Sequence, residues 1–293
     1  TSATIYGGRG NDNITDFNVA NTNSLISGDD GNDTITLGNG GASIDGLSVT
    51  GGQGVDIITL GNSGATDNDG VFINGNEGDD TLTGSSVALT AITLEGGEGT
   101  DTITSGAGTT TAVGGAGTDT MQAGANTNTF LYNGLGQGGA SAGANSTSTI
   151  AEGDIIGSTT AFTSGTDRIT FISADTLIGS SASVASGAAN NWNLITAGVF
   201  RVTGSTLIYT AGTTTYAQAA AAVGTVVGDA GDTAYFAIED SVTATQTLVF
   251  QVTLGTTRAL LAGTALNAGD TISLVSDVTS GAAFLAAGDF TFA

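Results

Sequence analysis

The chain has 293 residues, enough for one large or two ordinary domains. It carries 27 acidic residues against four arginines, with no lysine, histidine or cysteine, and a net charge of −23. Nucleic acid and anionic membranes are therefore unlikely partners. Histidine- and cysteine-dependent catalysis and the usual zinc, copper and haem sites drop out, leaving oxygen ligands that suit calcium or magnesium.

The first predicted element is a short alternating run, ATIY, followed from Gly7 by GGRGNDNIT. The same arrangement returns as GDDGNDTIT from Gly28, GGQGVDIIT from Gly51, GNEGDDTLT from Gly75, GGEGTDTIT from Gly96 and GGAGTDTMQ from Gly114. All six fit G-x-x-G-x-D-x-U-x, where U is a large apolar residue. Four have glycine at the second position; Asp29 and Asn76 stand there in the others. Each copy follows its own alternating run (SLIS, LSVT, VFIN, ITLE, TTAV), so the unit reads as strand, glycine turn, strand.

Successive copies start 21, 23, 24, 21 and 18 residues apart. A period near 20 predicts a stacked solenoid of two short parallel strands per coil, in which no repeat can bury its apolar side alone. Ile14, Ile35, Ile58, Leu82, Ile103 and Met121 are expected to point inward as one ladder. The turns on the other side vary in length and mostly lack the aspartate, so they are expected to hold no metal, save for one further cation near Asp67 and Asp69.

Glycines let a turn curl its carbonyl oxygens inward, and one carboxylate per turn adds formal charge. Turns stacked about 4.8 Å apart then enclose holes lined only by oxygen. Calcium accepts roughly 6–8 oxygens in flexible geometry and suits such a cage better than magnesium. The expected carboxylate ligands are Asp12, Asp33, Asp56, Asp80, Asp101 and Asp119. Backbone carbonyls are expected from Gly7, Arg9 and Gly10; Gly28, Asp30 and Gly31; Gly51, Gln53 and Gly54; Gly75, Glu77 and Gly78; Gly96, Glu98 and Gly99; and Gly114, Ala116 and Gly117. Six turns leave five gaps, hence about five calcium ions. A phosphate-binding loop would need a lysine, and there is none.

The pattern stops near residue 125. Residues 126–153 read as a Gly/Ser/Ala-rich connection, and 154–293 as a β-rich domain with strand-like runs at 167–172, 199–209, 233–238, 247–254 and 270–275. TYAQAAAAVG, residues 215–224, predicts one short helix. No run is long enough for a transmembrane helix. The chain opens mid-pattern without Met and is expected to be a piece of something longer. Paired carboxylates such as Glu152/Asp154 and Glu239/Asp240 are expected to be solvated strand-end charges rather than an acid–base pair, and no catalytic residue is assigned.

The nonapeptide GGxGxDxUx resembles the RTX repeat of calcium-binding bacterial proteins. The resemblance implies an all-β, right-handed parallel β-roll with calcium between stacked turns, and the aspartates named above as its ligands. The later motifs NTFLY, EGDII and FTSGTDRITF are similar in order to the domain that follows such rolls. The end AAGDFTFA, with Asp289, Phe290 and Phe292, is similar to the family's C-terminal secretion signal. The resemblance thus implies export through type I secretion machinery without a cleaved leader, and an extracellular or cell-surface home on a Gram-negative-type bacterium. The Thr-, Ser-, Ala- and Gly-rich, cysteine-free composition further resembles RTX-type surface-layer proteins, which implies copies of itself in a lattice as a partner. The alternative is the secretion and folding module of an exported enzyme or adhesin whose functional domain precedes residue 1.

Overall fold

The computed structural model describes residues 2–15, 23–37, 44–61, 69–132, 142–143, 153–157, 166–171, 191–193, 199–202, 207, 213–223, 225–227, 233–241, 243, 245–255, 264–266, 269–280 and 290–292. Asp67, Glu152 and Asp289 lie outside these residues, as does the side chain of Asp69. The chain divides into two units, residues 1–132 with 157–160, and residues 133–156 with 161–293.

The first unit is a parallel β-solenoid. Its first sheet is formed by β1 (Thr4–Arg9), β3 (Leu25–Asp30), β5 (Ser48–Gln53), β7 (Asp69–Glu77), β9 (Thr90–Glu98), β11 (Thr110–Ala116) and β13 (Asn128–Tyr132). The second is formed by β2 (Asn13–Thr15), β4 (Thr34–Leu37), β6 (Ile57–Leu60), β8 (Thr81–Thr83), β10 (Thr102–Thr104) and β12 (Thr120–Gln122). Each coil contributes one strand to each sheet, and every pairing within the unit is parallel.

Register follows the repeat. The predicted ladder is in place: Ile14, Ile35, Ile58, Leu82, Ile103 and Met121 are cross-strand partners in sequence. All but Ile14, which is half-buried, are fully buried. In the first sheet Ile26, Val49, Ile73, Leu94, Ala112 and Phe130 form a second buried column. At roughly 1.5–3 kcal/mol per fully buried large side chain, these two columns are the main cohesive element of the coil stack.

Alternation sends the neighbouring residues outward. On the second sheet they make two columns: Asn13, Thr34, Ile57, Thr81, Thr102 and Thr120; and Thr15, Thr36, Thr59, Thr83 and Thr104. None of these eleven residues is charged. On the first sheet the outward residues near the turns include Asp30, Glu77, Glu95 and Glu98.

The second unit is also mostly strand. β15 (Val199–Val202) pairs in parallel with β16 (Thr233–Glu239), which runs antiparallel to β17 (Gln246–Thr253). That strand runs antiparallel to β18 (Thr271–Thr279), which pairs in parallel with β14 (Asp154–Ile156). The predicted helix is α1 (Tyr216–Val223). Its start is a capping box: Gln218 Oε1 accepts from the Thr215 amide at 2.7 Å, and Thr215 Oγ1 accepts from the Gln218 amide at 3.3 Å. Its buried stripe of Tyr216, Ala219, Ala220 and Val223 joins one core with Phe236, Ile238, Leu248 and Phe250.

Candidate metal centre

Each glycine loop is shaped by three backbone positions. The second and fourth residues of the nonapeptide have positive φ: Gly52 at 127° and Gly54 at 122° in the third repeat, for example. Where the second glycine is replaced, Asp29 (74°) and Asn76 (77°) adopt the same left-handed region, which these two residue types tolerate. The first glycine has ordinary φ but no room. A Cβ on Gly28, Gly51, Gly75 or Gly96 would collide with the carboxylate of its own loop's aspartate and with the first-glycine carbonyl of the next coil.

The loop aspartates line up across the coils. Oδ1 of Asp33 accepts the backbone N–H of Asp12 at 2.7 Å, and Oδ1 of Asp56 accepts that of Asp33 at 2.7 Å. Asp80, Asp101 and Asp119 continue the pattern at 2.8 Å each. Thus every predicted carboxylate ligand lies in one ladder, one rung per coil. From Asp33 onward the rungs are buried; Asp12, at the first coil, is half-buried.

The second carboxylate oxygen is the chemically informative one. Oδ2 of Asp12, Asp33, Asp56, Asp80 and Asp101 is shielded from solvent and has no hydrogen-bond partner. A buried anionic oxygen in that state demands a cation or a proton. Burial pushes the Asp56 carboxyl up to about 6 and Asp101 up to about 7, with charge repulsion from the adjoining rungs adding to the rise. Burial raises Asp80 and Asp119 as well. These residues fit calcium: hard oxygen donors, held in pairs by successive coils, with no competing basic side chain in the ladder. Among the described residues no three acidic side chains converge, so backbone carbonyls would have to complete any shell.

The third-position residues expected to lend carbonyls point their side chains to solvent at Arg9, Asp30, Gln53, Glu77, Glu98 and Ala116. The carbonyls of Asp30, Gln53, Glu77, Glu98 and Ala116 each accept the fourth-position glycine amide of the preceding coil at 2.7–2.9 Å. A carbonyl oxygen has a second lone pair, so this engagement leaves acceptor capacity for a metal. Arg9 sits 3.8 Å from the Asp30 carboxylate at the surface.

A second ladder escaped the sequence reading. Asn11 Oδ1 accepts the Asn32 amide and Asn32 Oδ1 the Val55 amide, both at 3.0 Å, while Asp79 Oδ1 accepts the Thr100 amide at 2.8 Å. Its signal was the Asn or Asp at the fifth position of GND, GND and GDD.

In the second unit Asp154 and Asp240 are buried, not solvated as expected, and Asp240 Oδ1 closes a turn by accepting the Thr243 amide at 3.0 Å. Asp277 accepts Gln246 Nε2 on both oxygens, at 2.9 and 2.7 Å, and burial raises its carboxyl.

A family model described as the RTX calcium-binding nonapeptide repeat matches residues 4–15, 21–43, 67–86, 93–112 and 104–134. No curated protein and no solved structure matched the chain. The matched segments omit the repeat from Gly51, yet Asp56 of that repeat stands in the same aspartate ladder as its neighbours. Matched repeats, parallel coils and the carboxylate ladder agree: the roll of this chain carries RTX calcium-binding nonapeptide repeats.

Proposed function

We propose that the chain is a non-enzymatic, calcium-dependent structural protein of a bacterial surface coat, exported by type I secretion machinery and folded outside the cell. The observation that carries the calcium part is the row of buried carboxylate oxygens without hydrogen-bond partners. A chain at −23 with such a row resists coiling until cations arrive, which suits passage through a channel unfolded. Extracellular calcium modules bind at roughly 10⁻⁴ to 10⁻³ M, so folding would wait for the outside. Six aspartate rungs make five gaps, and we assign about five ions to them. The coat role rests on composition: no cysteine, one methionine, no lysine and a Thr/Ser/Gly/Ala-rich chain.

The test is a calcium titration followed by circular dichroism and particle size, with electron microscopy of the saturated sample. Folding followed by regular sheets supports the coat. Folding to a monomer that never assembles moves the reading to a secretion and folding module of a larger protein. No change in either signal sinks the ligand assignment itself.

A further inference from the structure

We infer that the second unit holds a cation of its own, bound between Asp154 and Ser276. Asp154 opens β14, outside the segments that match the repeat model. Thr149 and Glu152 stand where a nonapeptide would have its first and fourth-position glycines. The three residues of the strand nevertheless repeat the second half of the nonapeptide. Asp154-Ile155-Ile156 has the aspartate, outward residue and large apolar residue of Asp56-Ile57-Ile58. Burial matches as well: Asp154, Ile156, Asp56 and Ile58 are all 0% exposed, and the residue between each pair is not buried. The strand pairs in parallel, as the roll strands do.

What lies beside Asp154 points to a ligand. Ser276 is its cross-strand partner in β18, so the carboxylate and the hydroxyl share one face of the sheet. Ser276 is fully buried, and its Oγ has no hydrogen-bond partner. A β-bulge places it there. Leu274 pairs with Phe250 and Ser276 with Val249, so Val275 is skipped. By strict alternation Ser276 would share the helix-side core with Ile272 and Leu274; the bulge turns it to the opposite face, onto Asp154. Glycine before the aspartate fixes the approach, because a Cβ on Gly153 would meet the Leu274 and Val275 carbonyl oxygens at 2.5 and 2.8 Å.

A buried hydroxyl next to a buried carboxylate ordinarily donates to it, and this one does not. A cation lying between them uses the lone pairs of both oxygens and supplies the charge that a buried carboxylate needs. Arg168 does not supply it, since its guanidinium donates to the Thr166 carbonyl at 3.3 Å. Carboxylate and hydroxyl oxygens select a hard ion. The choice of calcium rests on the calcium reading of the roll. With one carboxylate instead of two, the site binds more weakly than the gaps of the aspartate ladder and fills after them.

The experiment uses the full chain at saturating calcium. Bound calcium is counted by equilibrium dialysis with elemental analysis, and folding is checked by circular dichroism. Asp154→Asn and Ser276→Ala are each expected to bind one ion fewer than the unmodified chain. Ser276→Ala removes no charge and carries the test if Asp154→Asn fails to fold. Thr247→Val is the control: its Oγ1 is also buried without a partner, on the same face but one row further along the sheet, opposite Val278. It should keep the full count. An unchanged count with Ser276→Ala, or an ion lost with Thr247→Val as well, overturns the site while the calcium reading of the roll stands. A chain that binds no calcium at all sinks that reading and this site together.

Discussion

The backbone amide of Asp33 donates to Oδ1 of Asp56 across one full coil, at 2.7 Å. One oxygen of each rung from Asp33 to Asp119 thus ties two coils together, while the other oxygen of Asp33, Asp56, Asp80 and Asp101 is buried without a hydrogen-bond partner. Removing the charge but keeping the tie separates these roles. Asp56→Asn retains an acceptor for the Asp33 amide yet loses the anion. It is expected to raise the calcium midpoint for folding about tenfold, equivalent to about 1.4 kcal/mol. Asp12→Asn, at the half-buried first rung, should shift it less. Circular dichroism against free calcium reads both.

The same carboxylates predict how pH acts. Asp56 and Asp101 titrate near 6 and 7 in the folded chain, above the ordinary value of 3.8. The folded state therefore binds more protons between those limits, and stability falls as pH rises through them. Without calcium the roll should be most ordered near pH 4 and lose order progressively up to about pH 7. With calcium, protons and metal compete, so the calcium midpoint should rise as pH drops from 7.5 to 5.5. A midpoint that is flat over that range would disconnect the buried carboxylates from the metal.

Glycine suits the first and second loop positions for different reasons, and substitutions should tell them apart. Gly51→Ala puts a methyl into the Asp56 carboxylate without straining φ, so it should raise the calcium midpoint. Gly52→Ala forces alanine to φ 127° and into the Asp29 carbonyl, so it should lower thermal stability even at saturating calcium. Asn76→Gly relieves a positive φ and should be neutral within a few tenths of a kcal/mol. Paired thermal melts at low and high calcium separate the three.

Much of this unit was legible because one nonapeptide encodes both its turn and its inward residue. The aspartate positions, the Ile14-to-Met121 ladder and the exceptional residues Asp29 and Asn76 could all be read from six aligned copies. What could not be read depends on register between residues 18 to 24 apart. The Asp Oδ1-to-amide ties are one case. Another is the run of the first-sheet strands through the third loop residue, as in Thr4–Arg9, where the sequence suggested a turn from Gly7. A third is the buried column Val71, Ile92, Thr110 and Asn128, which changes from apolar to polar along the stack. Alternation within any one strand carries no trace of that change.

The outer ladder offers the contrast that tests where stability resides. Asn32→Ala removes the acceptor of the Val55 amide, but both residues are exposed and water can replace the bond. Its cost should be at most about 1 kcal/mol, with no effect on the calcium midpoint beyond that loss. Ile73→Ala, in the buried column between Val49 and Leu94, leaves a cavity that rigid neighbouring coils cannot close. Its cost should be about 2–5 kcal/mol. Because calcium binding and coil folding are linked, that loss should also appear as a higher calcium midpoint, although Ile73 touches no ligand position. Equal effects from Asn32→Ala and Ile73→Ala would mean that the turns, rather than the apolar columns, hold the coils together.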